Sequence, residues 1–216
     1  MAPAGLIAVT QCLNIHPENP QSRQIEHVVR FLQAGELVAL PTDACYVLAC
    51  HLGDKAALDQ IRLIKEIDDR HQMTLMCRDL SEIAQYARVD NVQYRLLKSV
   101  TPGAYTFILE GSKELPRRVL HPKRKTIGLR IPQHPLLQSL LSTLGEPLLT
   151  STLKLPGSDL PLTEAWEIQG TLEGQIACVV DEGRTGGLEP TTVIDLTTDV
   201  PQLVRAGCGA LGSFAF

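Results

Sequence analysis

A single α/β domain, built on one twisted mixed sheet covered by helices, is what this sequence predicts. Three observations carry that expectation. Short apolar, β-branched runs alternate with helical patterns from end to end. No low-complexity linker, internal repeat or shift in composition divides the chain. Its 216 residues, 44% of them hydrophobic, are enough for one domain with a sizeable core.

The elements follow in order. Ile7–Val9 is a short apolar run. Asn19-Pro20-Gln21-Ser22 opens a helix, with Pro20 suited to the first helical position and Ile25, Val28, Val29 and Leu32 forming its apolar stripe. Ala34-Gly35 closes it. Leu37–Leu40 is a strand halted by Pro41. Asp54 caps a helix whose apolar face is Ala57, Leu58, Ile61 and Ile64. Met73–Cys77 reads as a strand, followed by helices near 80–88 and 91–100. Strands at Tyr105–Leu109 and Thr126–Pro132 flank a basic segment. A helix over 134–144 ends at Gly145, and Leu148–Leu153 follows as a strand. A helix over 163–173 and three β-rich pieces, Ile176–Val180, Thr191–Leu196 and Leu203–Arg205, complete the series.

Composition narrows the function classes. No apolar run is long enough to span a bilayer, and Met1-Ala-Pro-Ala-Gly-Leu-Ile lacks the basic start of a signal peptide. The six cysteines (Cys12, Cys45, Cys50, Cys77, Cys178 and Cys208) are scattered, with no Cys-x-x-Cys and no histidine at zinc spacing. They read as reduced thiols of a cytoplasmic protein. Phosphate loops of the G-x-x-x-x-G-K-[ST] and G-x-G-x-x-G types are absent, as is the G-x-S-x-G elbow. Gly183-Arg184-Thr185-Gly186-Gly187 lies between two strands and reads as a hairpin or loop turn.

Charge is distributed unevenly. The net charge is −4, yet residues 113–130 hold seven of the twenty Lys and Arg. A local positive field on an acidic protein suggests an anionic partner, and a solvated loop is the plainer alternative. Three further places offer chemistry. Pro41-Thr42-Asp43-Ala44-Cys45-Tyr46 follows a strand, where open α/β sheets bind ligands. Thr150-Ser151-Thr152-Leu153-Lys154 sets hydroxyls beside a cation at another strand end. Thr191-Thr192-Val193-Ile194-Asp195-Leu196 is followed by Val204-Arg205-Ala206-Gly207, in which Arg205 offers a planar fork for phosphate. Each also reads as an ordinary turn or strand edge.

Taken together, these blocks resemble the YrdC/YciO family, best known for making L-threonylcarbamoyl-adenylate for a tRNA modification. The resemblance covers about residues 24–207 and includes Thr101-Pro102-Gly103-Ala-Tyr-Thr106-Phe-Ile-Leu109 and Thr126-Ile-Gly-Leu-Arg130-Ile-Pro132. Thr74-Leu-Met-Cys77-Arg78-Asp79-Leu80, Pro116-Arg117-Arg118 and Lys123-Arg124-Lys125 are most similar to the YciO branch. It implies an N-terminal strand and helix start at 1–23, a YrdC-like domain at 24–207 with a concave, positively charged face, and a tail at 208–216.

The resemblance further implies threonine-binding roles for Thr42, Arg130, Thr152 and Thr191. Nucleotide-binding roles fall on Thr126 and Arg205, with Lys65 and Lys154 as substitutes for family residues. The synthase Lys-x-Arg and Ser-x-Asn patterns are incomplete here: the region after the second helix reads Ile64-Lys65-Glu66-Ile67-Asp68-Asp69-Arg70, Lys154 stands where synthases have asparagine, and Cys77 stands at a histidine position. The implied substrates are ATP, L-threonine and bicarbonate, with Mg2+, and catalysis by positioning and charge stabilisation rather than by a protein nucleophile. A second implication is double-stranded RNA or tRNA binding through Arg117, Arg118, Lys123, Arg124 and Lys125.

Overall fold

A computed structural model describes residues 9–212 and Phe214. The expected apolar run at 7–9 therefore lies largely outside the described residues. A ten-stranded mixed sheet forms the frame, in the order β1-β8-β2-β3-β7-β4-β6-β5-β9-β10. The strands are β1 (Gln11–Asn14), β2 (Val38–Leu40), β3 (Val47–His51), β4 (Thr74–Met76), β5 (Tyr105–Glu110), β6 (Thr126–Arg130), β7 (Leu148–Thr152), β8 (Cys178–Asp181), β9 (Thr192–Asp195) and β10 (Gln202–Arg205). The helices are α1 (Ser22–Gln33), α2 (Lys55–Lys65), α3 (Leu80–Tyr86), α4 (Asn91–Val100), α5 (Pro135–Leu144) and α6 (Ala165–Thr171).

Strand alternation divides the core between two faces. Val38, Leu40, Val47, Ala49, Met76, Leu148, Cys178 and Val180 point to the face covered by α1 and α5. Their neighbours Ala39, Leu48, Cys50, Leu75, Leu149 and Val179 point to the other, with the apolar residues of α2, α3, α4 and α6. The helix stripes are those the spacing predicts: α1 buries Ile25, Val28, Val29 and Leu32, and α2 buries Ala57, Leu58, Ile61 and Ile64. Asp54 caps α2 by accepting from the Ala57 N–H, and Gly145 ends α5 in the left-handed conformation.

Three expectations need correction. Pro20 is not the first residue of α1. Gln21 is extended and the helix starts at Ser22, so the proline lies outside it. Strand β3 has no counterpart in the sequence reading, because Val47-Leu-Ala-Cys50 is buried on both faces and shows no alternation. Of the two readings of the Gly183–Gly187 segment, the loop holds and the hairpin does not. Its flanking strands β8 and β9 lie far apart in the sheet, so it belongs to a long crossing connection.

Candidate functional site

The apolar cluster beneath α1 and α5 ends at β4, and beyond it the same sheet face becomes polar. Ile127 and Leu129 belong to the opposite core, so Thr126, Gly128 and Arg130 of β6 face this polar stretch. Register extends it sideways. Met76 pairs with Arg130, and Thr106 stands opposite Arg130, one place past the Phe107–Leu129 pair. Thr106 pairs with Val193, and Val193 with Arg205. Residues distant in sequence thus form one row across β4, β6, β5, β9 and β10.

Arg130 is the buried charge of this row, at 4% exposure. Its Nη2 donates to the Asp43 carboxylate, which comes from the turn after β2, 87 residues away in sequence. The other Asp43 oxygen accepts from the Gln133 N–H at 3.0 Å. Arg130 Nε is buried with no hydrogen-bond partner among the described residues. Thr42 shapes the turn that presents Asp43: its Oγ1 donates to the Cys45 carbonyl at 2.8 Å and accepts from the Ala44 N–H at 3.0 Å. The glycine-rich connection lies against this turn. A Cβ on Gly187 would sit 1.9 Å from the Ala44 carbonyl oxygen, an approach only glycine permits.

Next to Arg130, the Thr106 and Thr191 hydroxyls share a hydrogen bond of 2.8 Å. Arg205 donates to the Thr191 carbonyl from Nη2 at 2.8 Å and from Nε at 3.3 Å. The structure therefore brings Arg130, Thr191 and Arg205 into one region, with Thr42 beneath the loop beside it.

A second group forms at the end of β7. Lys65, the last residue of α2, donates to Ser151 Oγ at 2.6 Å and to the Thr152 carbonyl at 2.5 Å. Burial lowers its ammonium pKa to about 8. His71 Nε2 stands 3.4 Å from the same Ser151 hydroxyl; burial, and then the Lys65 charge, hold that imidazole down to about 4. Thr126 Oγ1 donates to Gln72 Oε1 at 3.1 Å, while Gln72 Nε2 is buried without a partner among the described residues. Thr126 and Arg130 lie on the same face but at opposite ends of β6, roughly 13 Å apart at strand rise. Lys154 is exposed beyond β7 and has no ion-pair partner among the described residues.

The basic segment stays outside. Arg117, Arg118, Lys123, Arg124 and Lys125 are all exposed, in contrast to buried Arg130. Two of them bind backbone: Arg118 donates to the Gly53 carbonyl and Lys125 to the Pro122 carbonyl. A cavity of about 510 Å³ lies near the start of β6, lined by Arg88, Gln93, Glu110, Arg124, Thr126 and Leu196 among others. It shares Thr126 with the residues above, but lies away from Arg130, whose row holds the buried charge and its orphaned donor.

This arrangement suits binding and orientation. Burial pushes the Cys45 thiol up to about 11 and also raises Cys208, so neither is a thiolate at neutral pH. Cys77, at the family's histidine position, is fully buried and its thiol pKa is raised well above the usual value. Sequence reasoning missed Asp43, His71, Gln72 and Thr106 as site residues, while Ser151 lay in the hydroxyl block it had offered. Asp43 lay within a block it had singled out, but no local signal pairs it with Arg130. No group of three or more His, Cys, Asp or Glu side chains able to hold a metal occurs among the described residues.

Comparison with known proteins agrees with the fold and the sequence blocks. The model of the Sua5/yciO/yrdC family, described as telomere recombination, matches residues 30–207. YciO of Escherichia coli K12, a protein described as uncharacterized, is 48% identical over 206 residues, 95% of this chain and all of that protein. Human threonylcarbamoyl-AMP synthase is 33% identical over 82% of this chain and 64% of its own length. The crystal structure of E. coli YciO superposes with a TM-score of 0.91 over 95% of this chain. P. abyssi Sua5 complexed with L-threonine gives a TM-score of 0.83 at 26% identity, covering 92% of this chain and 58% of Sua5. With its matching blocks, ten-stranded sheet and near full-length likeness to YciO, the chain belongs to the Sua5/YciO/YrdC family.

Proposed function

We propose that this chain is a YciO-type threonylcarbamoyl-AMP synthase of modest rate, acting in the cytoplasm on ATP, L-threonine and bicarbonate to supply tRNA modification. The observation that carries the reading is Arg130: a buried guanidinium with an unpartnered donor, beside hydroxyls, on a polar stretch of an otherwise apolar face. Asp43 already takes Nη2, so Nε is the donor left for a ligand, and a carboxylate matches that planar fork. The relatives named as synthases, and Sua5 with L-threonine, supply the substrate class.

The chemistry joins the threonine amine to bicarbonate with loss of water. A carbamate oxygen then attacks the α-phosphorus of ATP, and the bond to pyrophosphate breaks. Arg130 holds the carboxylate, while Arg205, Lys65 and Lys154 neutralise phosphate charge as pyrophosphate leaves. Thr126, Thr152 and Thr191 offer hydroxyls for orientation. Mg2+ enters with the nucleotide, held mainly by its phosphates, the usual mode for that ion. Without the family's arginine and asparagine, turnover falls by roughly 10²–10³ per missing donor.

The test is threonine-dependent pyrophosphate release from ATP and bicarbonate. Release that falls at least tenfold in Arg205→Ala supports the reading. Release indifferent to threonine, or unchanged in that variant, refutes it. Double-stranded RNA binding that weakens steeply with salt, without any turnover, would move the function to the exposed basic segment instead.

A further inference from the structure

We infer that Asp43 makes this site selective for a zwitterion, binding the ammonium group of an amino acid whose carboxylate occupies the free Nε edge of Arg130. The inference rests on the reading of Arg130 as the amino-acid anchor and adds a specificity-determining residue to it. Arg130 is already half satisfied, since Nη2 is held by Asp43 while buried Nε has no partner. Asp43 is held in place from two further sides, by the Gln133 N–H at 3.0 Å and by the Thr42-closed turn. Its side chain is only 12% exposed, so water does little to screen it.

These facts set the charge rule for any ligand. A plain carboxylate on Nε would place a second anion beside Asp43, with one guanidinium between them. Like charges that close, away from water, repel strongly. A ligand that brings a cation next to its carboxylate removes the conflict, because the ammonium faces Asp43 as the carboxylate faces Arg130. An α-amino acid has that pattern. The neighbouring Thr106–Thr191 hydroxyl pair suits a polar side chain.

The test is titration calorimetry with L-threonine and with its des-amino analogue, 3-hydroxybutanoate. Wild type is expected to bind L-threonine at least tenfold more tightly. Asp43→Asn should erase that preference, and Asp43→Glu should restore part of it. Near-UV circular dichroism checks that each variant keeps its native packing. Equal affinity of the wild type for both ligands overturns the inference and leaves the amino-acid site standing, and this comparison needs no variant to fold. A preference that survives in folded Asp43→Asn also overturns it. If wild type binds neither ligand, the amino-acid reading of Arg130 falls, and the role of Asp43 falls with it.

Discussion

Removing the Arg130 charge while keeping Asp43 gives the sharpest test of the site's energetics. The two side chains are 4% and 12% exposed, so Arg130→Met strands a carboxylate where water cannot replace the lost partner. One Asp43 oxygen still has the Gln133 N–H at 3.0 Å, but the other loses its only charged donor. Breaking a buried pair from one side costs about 3–5 kcal/mol. In a protein of this size that lowers Tm by roughly 6–20 °C. Removing the remaining charge in Arg130→Met/Asp43→Asn should recover most of the loss, because a neutral amide is far cheaper to bury. Urea midpoints of wild type, both single variants and the double variant close the cycle, with an expected coupling above about 2 kcal/mol. An Arg130→Met variant within about 1 kcal/mol of wild type, or strictly additive single effects, would show that the pair does not act as a buried unit.

Two more outcomes follow from other parts of the site. Burial holds Lys65 down to about 8, whereas a lysine in the unfolded chain titrates near ~10.4. Between those values the unfolded state binds a proton that the folded state releases, so wild-type stability should rise with pH by up to about 3 kcal/mol. Lys65→Met lacks this rise, and a pH-independent stability difference between the two proteins from about pH 8 to about pH 10.5 would refute the assignment. Gly187→Ala forces a methyl group into the Ala44 carbonyl 1.9 Å away, whereas Gly170 has open space around it. The first substitution should cost about 1–3 kcal/mol and weaken L-threonine binding severalfold, while Gly170→Ala in α6 should be neutral or mildly stabilising in thermal melts.

Much of the frame was legible because helix stripes and strand runs are local signals. Ile25 to Leu32 of α1 and Ala57 to Ile64 of α2 announce themselves by spacing, and both are buried as that spacing requires. Strand β3 was not legible, since a run apolar on both faces has no period to read. The site divided in the same way. Arg130 and Thr191 were readable from their blocks, and the structure places both in the polar stretch of the sheet face. Thr42 was also singled out, but its hydroxyl closes a turn. Asp43 and Thr106 derive their importance from partners across the sheet, at Arg130 and Thr191, and composition cannot reveal a register. His71 meets Ser151 only because α2 ends beside β7, which no spacing within either segment encodes.

The order of strands also constrains how the chain acquires its structure during synthesis. Strand β2 forms a local antiparallel pair with β3, but its other neighbour is β8, with Val38 opposite Cys178. Strand β1 likewise waits for β8, with Gln11 opposite Cys178. Until the ribosome has delivered residues near 180, the β2 edge stays open and the apolar face of α1 lacks much of the surface it will cover. Open strand edges are templates for pairing with other chains, and pairings this distant in sequence form slowly. The Asp43 turn directly follows β2, so it is carried by a strand that has only one neighbour until β8 arrives. A nascent chain released early would carry Arg130 and Asp43 without the β8 and β9 segments that complete the sheet around them.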